Sequence, residues 1–284
     1  MKKILSFALC AVFVLMCVFS VVSVSAEQQT ETEYTPIEWS EPTELGFSGS
    51  YPRMVALGNG TLLLVHGGSY AFTVRRSSDG GESWSDPVVI ADYAGTGYNP
   101  ANGYFYFDEL TETLYLSYRC PIENEDGTYT ANVMVMKSTD NGNTWSAPQT
   151  MLSSTVPSVD EYGGAWEPTI YRTNGKLRMY YSGNIMKYGD GQVILNLGTE
   201  HECIDETYPY SEKKEIQYIV MHEMDEETGA WGGGQITFDG YPNHPYKPSE
   251  SYVYRRAGMQ SISLLSDGTY VMAIESSRNA NAAK

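Results

Sequence analysis

The chain has 284 residues, of which 42% are hydrophobic and 19% charged, and its formal net charge is −17 at pH 7. This length and composition predict one folded domain or two small ones, and they argue against disorder, a coiled coil or a protein with many membrane spans. The negative charge repels phosphate backbones and anionic lipid surfaces, so we expect neither nucleic acid nor a membrane as a partner of the mature protein.

The first 26 residues have the features of a secretory signal peptide. Lys2 and Lys3 precede an apolar run over residues 4–22, and the sequence then reaches Val24-Ser25-Ala26, a small-residue cleavage pattern. We therefore expect residues 1–26 to be removed and the protein to be secreted. An uncleaved membrane anchor is the alternative, because the apolar run is long enough to span a bilayer.

Two cysteines, Cys120 and Cys203, remain after residue 26. They permit one disulfide, but their separation in sequence does not say whether they meet. Neither has the paired spacing of a zinc site, so we predict no metal, and we expect no cofactor.

An eight-residue motif occurs twice: residues 77–84 read SSDGGESW and residues 138–145 read STDNGNTW. The shared pattern Ser-x-Asp-x-Gly-x-Ser/Thr-Trp is called the Asp box below. It predicts a β-hairpin turn in which Asp and Ser/Thr oxygens bind local N–H groups, Gly adopts a positive φ and Trp folds back between strands. We expect structural roles for its residues: Ser77, Asp79, Gly81, Trp84, Ser138, Asp140, Gly142 and Trp145. Residues 224–231 look like a degenerate third copy.

Apolar hairpins alternate with the Asp boxes. They are predicted over residues 53–65, 103–118, 169–181 and 261–274, and helical periodicity is nearly absent. Two inner strands followed by two outer strands that an Asp box joins make one four-stranded propeller blade. The sequence therefore predicts an all-β propeller over residues 51–284, with about three and a half blades.

The Asp boxes in an exported chain resemble those of the sialidase-like β-propeller superfamily, and this resemblance implies a six-bladed parent fold. We therefore expect the chain to be truncated at its C-terminus, because an open ring of blades exposes unpaired strand edges. Residues 27–50 would form an N-terminal segment, in which residues 37–45 supply a strand that closes the ring. The last blades should supply further substrate contacts, so both an active and an inactive chain stay open.

Hairpin geometry predicts which residues surround the mouth of the central funnel. In an antiparallel hairpin, the start of the first strand and the end of the second strand lie at the same edge. The Asp boxes should lie at the opposite face. We expect eight residues at the mouth: Arg53, Asn102, Glu167, Gln260, His66, Arg119, Ser182 and Glu275.

Two glutamates at this mouth are the candidate catalytic residues. Glu167 lies between Trp166, which offers an apolar wall, and Pro168, which removes a donor from the strand ladder. Glu275 ends a run with no other charge. Cleavage of a glycosidic bond needs one carboxyl group to protonate the leaving oxygen and one carboxylate to attack the anomeric carbon or to activate water. The excess of 23 Tyr over 8 Phe suits stacking on sugar faces.

The segment GAWEP at residues 164–168, followed by LRMYYS at residues 177–182, resembles the Trp-Glu-Pro and Tyr-Tyr-Ser segments of glycoside hydrolase family 93, the exo-acting 1,5-α-L-arabinanases. Residues 258–260 and 267–275 are similar to that family's Gly-Met-Pro, Gly-x-Tyr and terminal Glu. The resemblance implies a retaining exo-hydrolase of α-1,5-linked arabinan that releases arabinobiose. It implies Glu167 as the acid/base and Glu275 as the nucleophile, with the order of these roles less fixed than the identity of the residues.

The same resemblance implies that Arg53 and Arg119 hold sugar hydroxyls, although pairing with carboxylates at the mouth is the alternative. Asn102, Trp166 and Gln260 are the further candidates for substrate binding.

Two other functions stay open. An exo-α-sialidase would grip a substrate carboxylate with three arginines, of which Arg53 is a candidate for the first, and would use a Tyr nucleophile activated by Glu. A non-catalytic carbohydrate-binding propeller would keep the aromatic mouth but would depend on neither glutamate. An oligosaccharide or polysaccharide is the expected partner in all three cases.

Overall fold

The structure is a computed structural model that describes residues 41–68, 70–156, 164–187, 193–195, 216–239 and 257–276. The predicted signal peptide and Cys203 lie outside these residues. The chain divides into two compact units, residues 1–47 and 48–284. In the first unit, residues 41–45, which belong to the predicted ring-closing segment, form no strand.

All strands described belong to the second unit and form four antiparallel sheets, here called blades 1 to 4. Blade 1 contains four strands that pair in chain order: β1 (Ser50–Ala56), β2 (Leu62–Gly68), β3 (Ala71–Ser77) and β4 (Val88–Asp92). A tight turn joins β1 to β2, and Gly60 adopts the positive φ of 83° that this turn requires.

Blade 2 contains five strands: β5 (Ala101–Asp108), β6 (Thr113–Arg119), β7 (Ile122–Glu123), β8 (Tyr129–Ser138) and β9 (Gln149–Val156). Strands β5, β6, β8 and β9 pair in that order, and the short β7 pairs with the start of β8. Six consecutive residues of β6 are buried. This pattern arises because the strand has a neighbouring blade on each face of its sheet.

Blade 3 contains six strands: β10 (Ala165–Thr173), β11 (Lys176–Lys187), β12 (Val193–Leu195), β13 (Ile216–Asp225), β14 (Ala230–Trp231) and β15 (Gln235–Asp239). Its main order is β10, β11, β13 and β15, while β12 pairs with the end of β11 and β14 with the end of β13. Blade 4 is described as one hairpin of β16 (Ala257–Leu264) and β17 (Tyr270–Ser276).

The apolar core lies between successive blades. Leu63 and Phe72 of blade 1 pack with Phe105, Leu114 and Leu116 of blade 2 in one buried cluster. A second cluster joins blade 2 to blade 3, and a third joins blade 3 to blade 4. Each fully buried side chain of this size stabilises the fold by about 1.5–3 kcal/mol.

The innermost strands β1, β5, β10 and β16 contact one another in turn. Sheets that pack face to face around one axis form a β-propeller. The predicted all-β propeller is therefore confirmed, with blades of four, five and six strands and one hairpin among the residues described. Within these ranges, no helix is long and apolar enough to cross a membrane.

The first Asp box forms the turn between β3 and β4 and is held by its own side chains. Asp79 Oδ1 accepts the Ser83 N–H at 3.0 Å, and Asp79 Oδ2 accepts the Ser83 hydroxyl at 2.5 Å. The Ser77 hydroxyl oxygen accepts the Gly81 N–H at 2.8 Å, and Trp84 Nε1 donates to the Gly81 carbonyl at 3.1 Å. Hydrogen bonds from the Ser83 hydroxyl, the Ser83 N–H and the Ser77 hydroxyl lower the pKa of Asp79.

The second Asp box repeats the same four bonds in the turn between β8 and β9. The corresponding residues are Ser138, Asp140, Gly142, Thr144 and Trp145. Hydrogen bonds from Thr144 and Ser138 lower the pKa of Asp140 to about 2. The Trp145 ring stacks on Phe105 at 5.6 Å and so fixes the turn against the core.

The degenerate third copy uses its carboxylate differently. Glu226 stands where Asp79 stands in the first box, and its two oxygens accept Arg172 Nη1 and Nη2, both at 2.8 Å. Arg172 also donates to both oxygens of Asp108, whose side chain is 1% exposed. Because a buried carboxylate needs a partner, this ion pair ties the end of β5 to blade 3.

Candidate active site

The innermost strand of every blade carries a β-bulge at the same place. In β1, β5, β10 and β16, the register advances by three residues where the partner strand advances by two. The residue at each bulge has a φ of 52–55°, which non-glycine residues seldom adopt. Such bulges redirect a side chain at the rim of a sheet. The four bulge residues are Tyr51, Asn102, Glu167 and Met259.

In blade 1, the residue at the bulge lies two positions before Arg53, the residue predicted for the mouth. Tyr51 is the bulge residue and is therefore equivalent to Glu167. Arg53 lies beyond the bulge, where its guanidinium stacks 4.3 Å from the Tyr51 ring centroid and lies 5.9 Å from that of Tyr104. Sequence reasoning missed Tyr51 because apolar alternation does not reveal where a strand inserts an extra residue. The available signal was the Pro that follows both Tyr51 and Glu167.

In blade 4, Met259 is the bulge residue, and Gln260 stands where Pro168 stands in blade 3. The Gln260 side chain is 3% exposed, and its Nε2 donates to the carbonyl of Glu167 and, at 2.9 Å, to the carbonyl of Tyr180. The structure therefore places Gln260 against the strand that carries Glu167, and not at the open mouth where a sugar contact was expected.

The second strands of the blades are aligned by the same register. Gly67, Arg119, Ser182 and Glu275 each lie directly opposite the residue that precedes the bulge. Three of these residues occupy the expected positions, and in blade 1 Gly67 takes the place expected for His66. Asn102, the bulge residue of blade 2, is half-buried.

The carboxylate of Glu167 is contacted from two other blades. Its Oε2 accepts the Met259 N–H at 2.8 Å, and its Oε1 lies 3.5 Å from the Tyr51 hydroxyl oxygen. The Tyr51 hydroxyl also donates to the Met259 sulfur. Side chains or backbone from the inner strands of blades 1, 3 and 4 thus meet at this half-buried carboxylate.

Glu275 reaches the same place from the second strand of blade 4. It is exposed and lies directly opposite Gly258. A Cβ at Gly258 would lie 2.8 Å from Glu167 Oε2, so the Glu167 carboxylate occupies the space above this glycine. Cβ positions of directly opposed residues are about 4.5–5.5 Å apart on one face, which puts the Glu275 Cβ within about 8 Å of Glu167 Oε2. The two predicted glutamates therefore share Gly258 as a neighbour at one end of the blade 4 hairpin.

Arg119 and Trp166 form a wall beside Glu167. The Arg119 guanidinium lies over the Trp166 ring, 3.8 Å from its centroid. Burial lowers the pKa of Arg119, while the charges of Tyr129 and Glu167 oppose this shift. Because guanidinium stays protonated in proteins, the wall places a fixed positive charge near the Glu167 carboxylate.

The described residues contain no group of three or more His, Cys, Asp or Glu side chains that is arranged to hold a metal ion. Cys120 is buried next to Arg119, and Cys203, the other cysteine after residue 26, lies outside the described residues.

Similar solved structures include three carbohydrate-active proteins. The endo-arabinase of Bacteroides thetaiotaomicron is 13% identical, with 78% of this chain and 68% of that chain covered and a TM-score of 0.44. An N-acetylgalactosamine deacetylase from F. plautii is 15% identical, with coverages of 80% and 62% and a TM-score of 0.48. The Hadza microbial sialidase Hz136 is 13% identical, with coverages of 67% and 45% and a TM-score of 0.40. The chain thus spans from under half to about two thirds of the length of these structures.

No curated protein matches the sequence. The family model of the BNR repeat-like domain matches residues 66–230, which run from β2 of blade 1 to β14 of blade 3. Since this match covers more than half of the sequence and contains both Asp boxes, the chain belongs to the BNR repeat-like domain family.

Proposed function

We propose that this protein is a secreted glycoside hydrolase that cleaves α-1,5-linked arabinan from a chain end with retention of configuration. The observation that carries the proposal is that the Glu167 carboxylate lies over Gly258, the residue directly opposite Glu275. A retaining mechanism needs its two carboxyl groups about 5–5.5 Å apart.

In the first step, the Glu275 carboxylate attacks the anomeric carbon and forms a glycosyl-enzyme. The bond from that carbon to the leaving oxygen breaks, and Glu167 gives its proton to this oxygen. In the second step, Glu167 takes a proton from water, and the water oxygen attacks the anomeric carbon and releases Glu275. The Met259 N–H and the Arg119 guanidinium are placed to stabilise the charge that Glu167 carries between the two steps.

Aromatic side chains support a sugar as the ligand of this mouth. Tyr51 and Trp166 flank Glu167, and each ring has an arginine over one face, Arg53 and Arg119 respectively. The stacked guanidiniums present N–H donors around the edge of the rings, where sugar hydroxyls bind.

The experiment that tests this function is turnover of linear α-1,5-arabinan by single-residue variants. Glu167→Gln and Glu275→Gln should each lower kcat by at least about 1,000-fold, since each removes a group that acts in the transition state. Glu112→Gln is the matched control, because Glu112 is exposed and also has a positive φ, of 51°, but lies in the turn at the other end of the blade 2 hairpin.

Wild-type turnover by both mouth variants would refute the proposal. Lost turnover would support it, whereas sugar binding by a wild-type protein that turns over no glycoside would indicate a carbohydrate-binding propeller instead.

One observation favours a second candidate, an exo-α-sialidase. The Tyr51 hydroxyl lies 3.5 Å from Glu167 Oε1, and a Tyr activated by a Glu is the nucleophile that such an enzyme uses. Release of dye from an aryl sialoside, lost in Tyr51→Phe, would support this candidate. Release of reducing ends from debranched arabinan without any activity on the sialoside would exclude it.

Export is part of the same proposal, with residues 1–26 as the signal peptide. Its support is the apolar run after Lys2 and Lys3 and the small residues up to Ala26. N-terminal sequencing of protein recovered from the culture medium should begin at Glu27. Recovery of the protein only with membranes, with its N-terminus intact, would contradict it.

A further inference from the structure

Gln260 differs in kind from its equivalents in the other blades. The residue after the bulge is Pro52 in blade 1, Gly103 in blade 2 and Pro168 in blade 3. Proline has no N–H, so this position needs no backbone donor, and none of the three equivalents has a polar side chain. The side-chain amide of Gln260 is therefore not required by the bulge itself.

The amide of Gln260 is buried and points at blade 3. Its Nε2 donates to the backbone carbonyls of Glu167 and Tyr180, while its Oε1 is buried and has no hydrogen-bond partner among the described residues. A buried polar atom without a partner costs free energy, so stability alone does not account for a glutamine at this place. The two carbonyl acceptors also fix which end of the amide is the NH₂ group.

The backbone that Gln260 contacts is strained. Glu167 has a φ of 52°, and a residue with a long side chain holds this conformation only when its surroundings enforce it. The Met259 N–H binds the Glu167 carboxylate at 2.8 Å, and the adjacent Gln260 amide binds the Glu167 carbonyl. Two successive residues of blade 4 thus hold both the backbone and the carboxylate of one residue of blade 3.

We propose that Gln260 is a positioning residue, whose amide holds the strained Glu167 backbone so that the Glu167 carboxylate stays aligned with the glycosidic oxygen. This inference rests on the proposed hydrolase function and on Glu167 as its proton donor. It assigns to Gln260 no contact with the substrate.

The test uses Gln260→Pro and Gln260→Met. The first installs the residue that the equivalent positions of blades 1 and 3 already accommodate, and the second keeps the side-chain length but removes both donors. With a linear α-1,5-arabino-oligosaccharide, kcat should fall about 10–100-fold while KM changes less than about threefold, as is typical when a supporting hydrogen bond of a reacting group is lost. Gln149→Met, at an exposed position of β9, is the control and should behave as wild type.

A second substrate separates positioning from general damage. An aryl glycoside of the same sugar with a dinitrophenolate leaving group departs without protonation, so its kcat/KM should change less than about threefold in both Gln260 variants. Equal losses on both substrates, or wild-type kcat on the oligosaccharide, would overturn the positioning role. Failure of the hydrolase proposal is distinguishable whatever the Gln260 variants do, because either the wild type would then not turn over the oligosaccharide or Glu167→Gln would turn it over normally.

Discussion

Replacing Gly258 by Ala tests the site geometry with a single methyl group. The new Cβ would lie 2.8 Å from Glu167 Oε2 and 3.5 Å from the Ser182 hydroxyl oxygen. Ordinary contact begins near 3.4 Å. The Glu167 carboxylate must therefore move by about 0.6 Å, which stretches the 2.8 Å bond from the Met259 N–H beyond a favourable length.

The effect should fall on activity and not on stability. Gly258 has no positive φ, and the clashing atom is the end of a flexible side chain, so the free energy of unfolding should change by no more than about 1 kcal/mol. A displacement of this size at a reacting group costs roughly 10–100-fold in kcat. The assay is turnover of linear arabinan together with thermal unfolding of the same preparation.

Gly68→Ala is the matched control for this substitution. Gly68 lies at the end of the second strand of blade 1, as Glu275 does in blade 4. A Cβ at Gly68 would meet nothing within 4 Å. The control should keep both wild-type kcat and wild-type stability. If Gly258→Ala also keeps wild-type kcat, the reasoning that places the reacting carboxylate above Gly258 is refuted.

Two further predictions concern the stability of the fold. The lowered pKa of Asp140 means that its ionised form stabilises the folded state fully above its ordinary value of 3.8 and that this contribution is lost as the pH falls toward about 2. Asp140→Asn should therefore lower the Tm at pH 6. In a pH series of thermal melts, the difference in Tm between this variant and the wild type should narrow below pH 4. A difference in Tm that stays constant with pH would contradict this prediction. Arg172→Ala leaves the buried Asp108 carboxylate unpaired, so it should lower the free energy of unfolding in urea by about 3–5 kcal/mol. Glu226→Gln, at a side chain that is 39% exposed, should lower it by less than about 1 kcal/mol. Similar losses in the two variants would contradict the assigned roles.

The fold was predictable because its information is local and repeated. Each Asp box, at residues 77–84 and 138–145, specifies its own turn through side chains no more than seven residues apart. Each apolar hairpin in the sequence predicts two neighbouring strands. The ion pair of Arg172 with Asp108 and Glu226 was not predictable, because it depends on how blade 2 packs against blade 3.

The site was predictable only as far as hairpin geometry determines it. Strand edges alone placed Glu167, Arg119 and Glu275 at one mouth. Tyr51 and Met259 were missed because a bulge adds one residue without a change in composition, and the register that reveals it exists only in the folded sheet.

Trapping of the covalent intermediate tests the central claim most directly. A 2-deoxy-2-fluoro glycosyl fluoride of arabinobiose should label the protein once, and peptide mass spectrometry should place the label on Glu275, with labelling lost in Glu275→Gln. A label on Tyr51, on Glu167 or on any other residue would contradict the account.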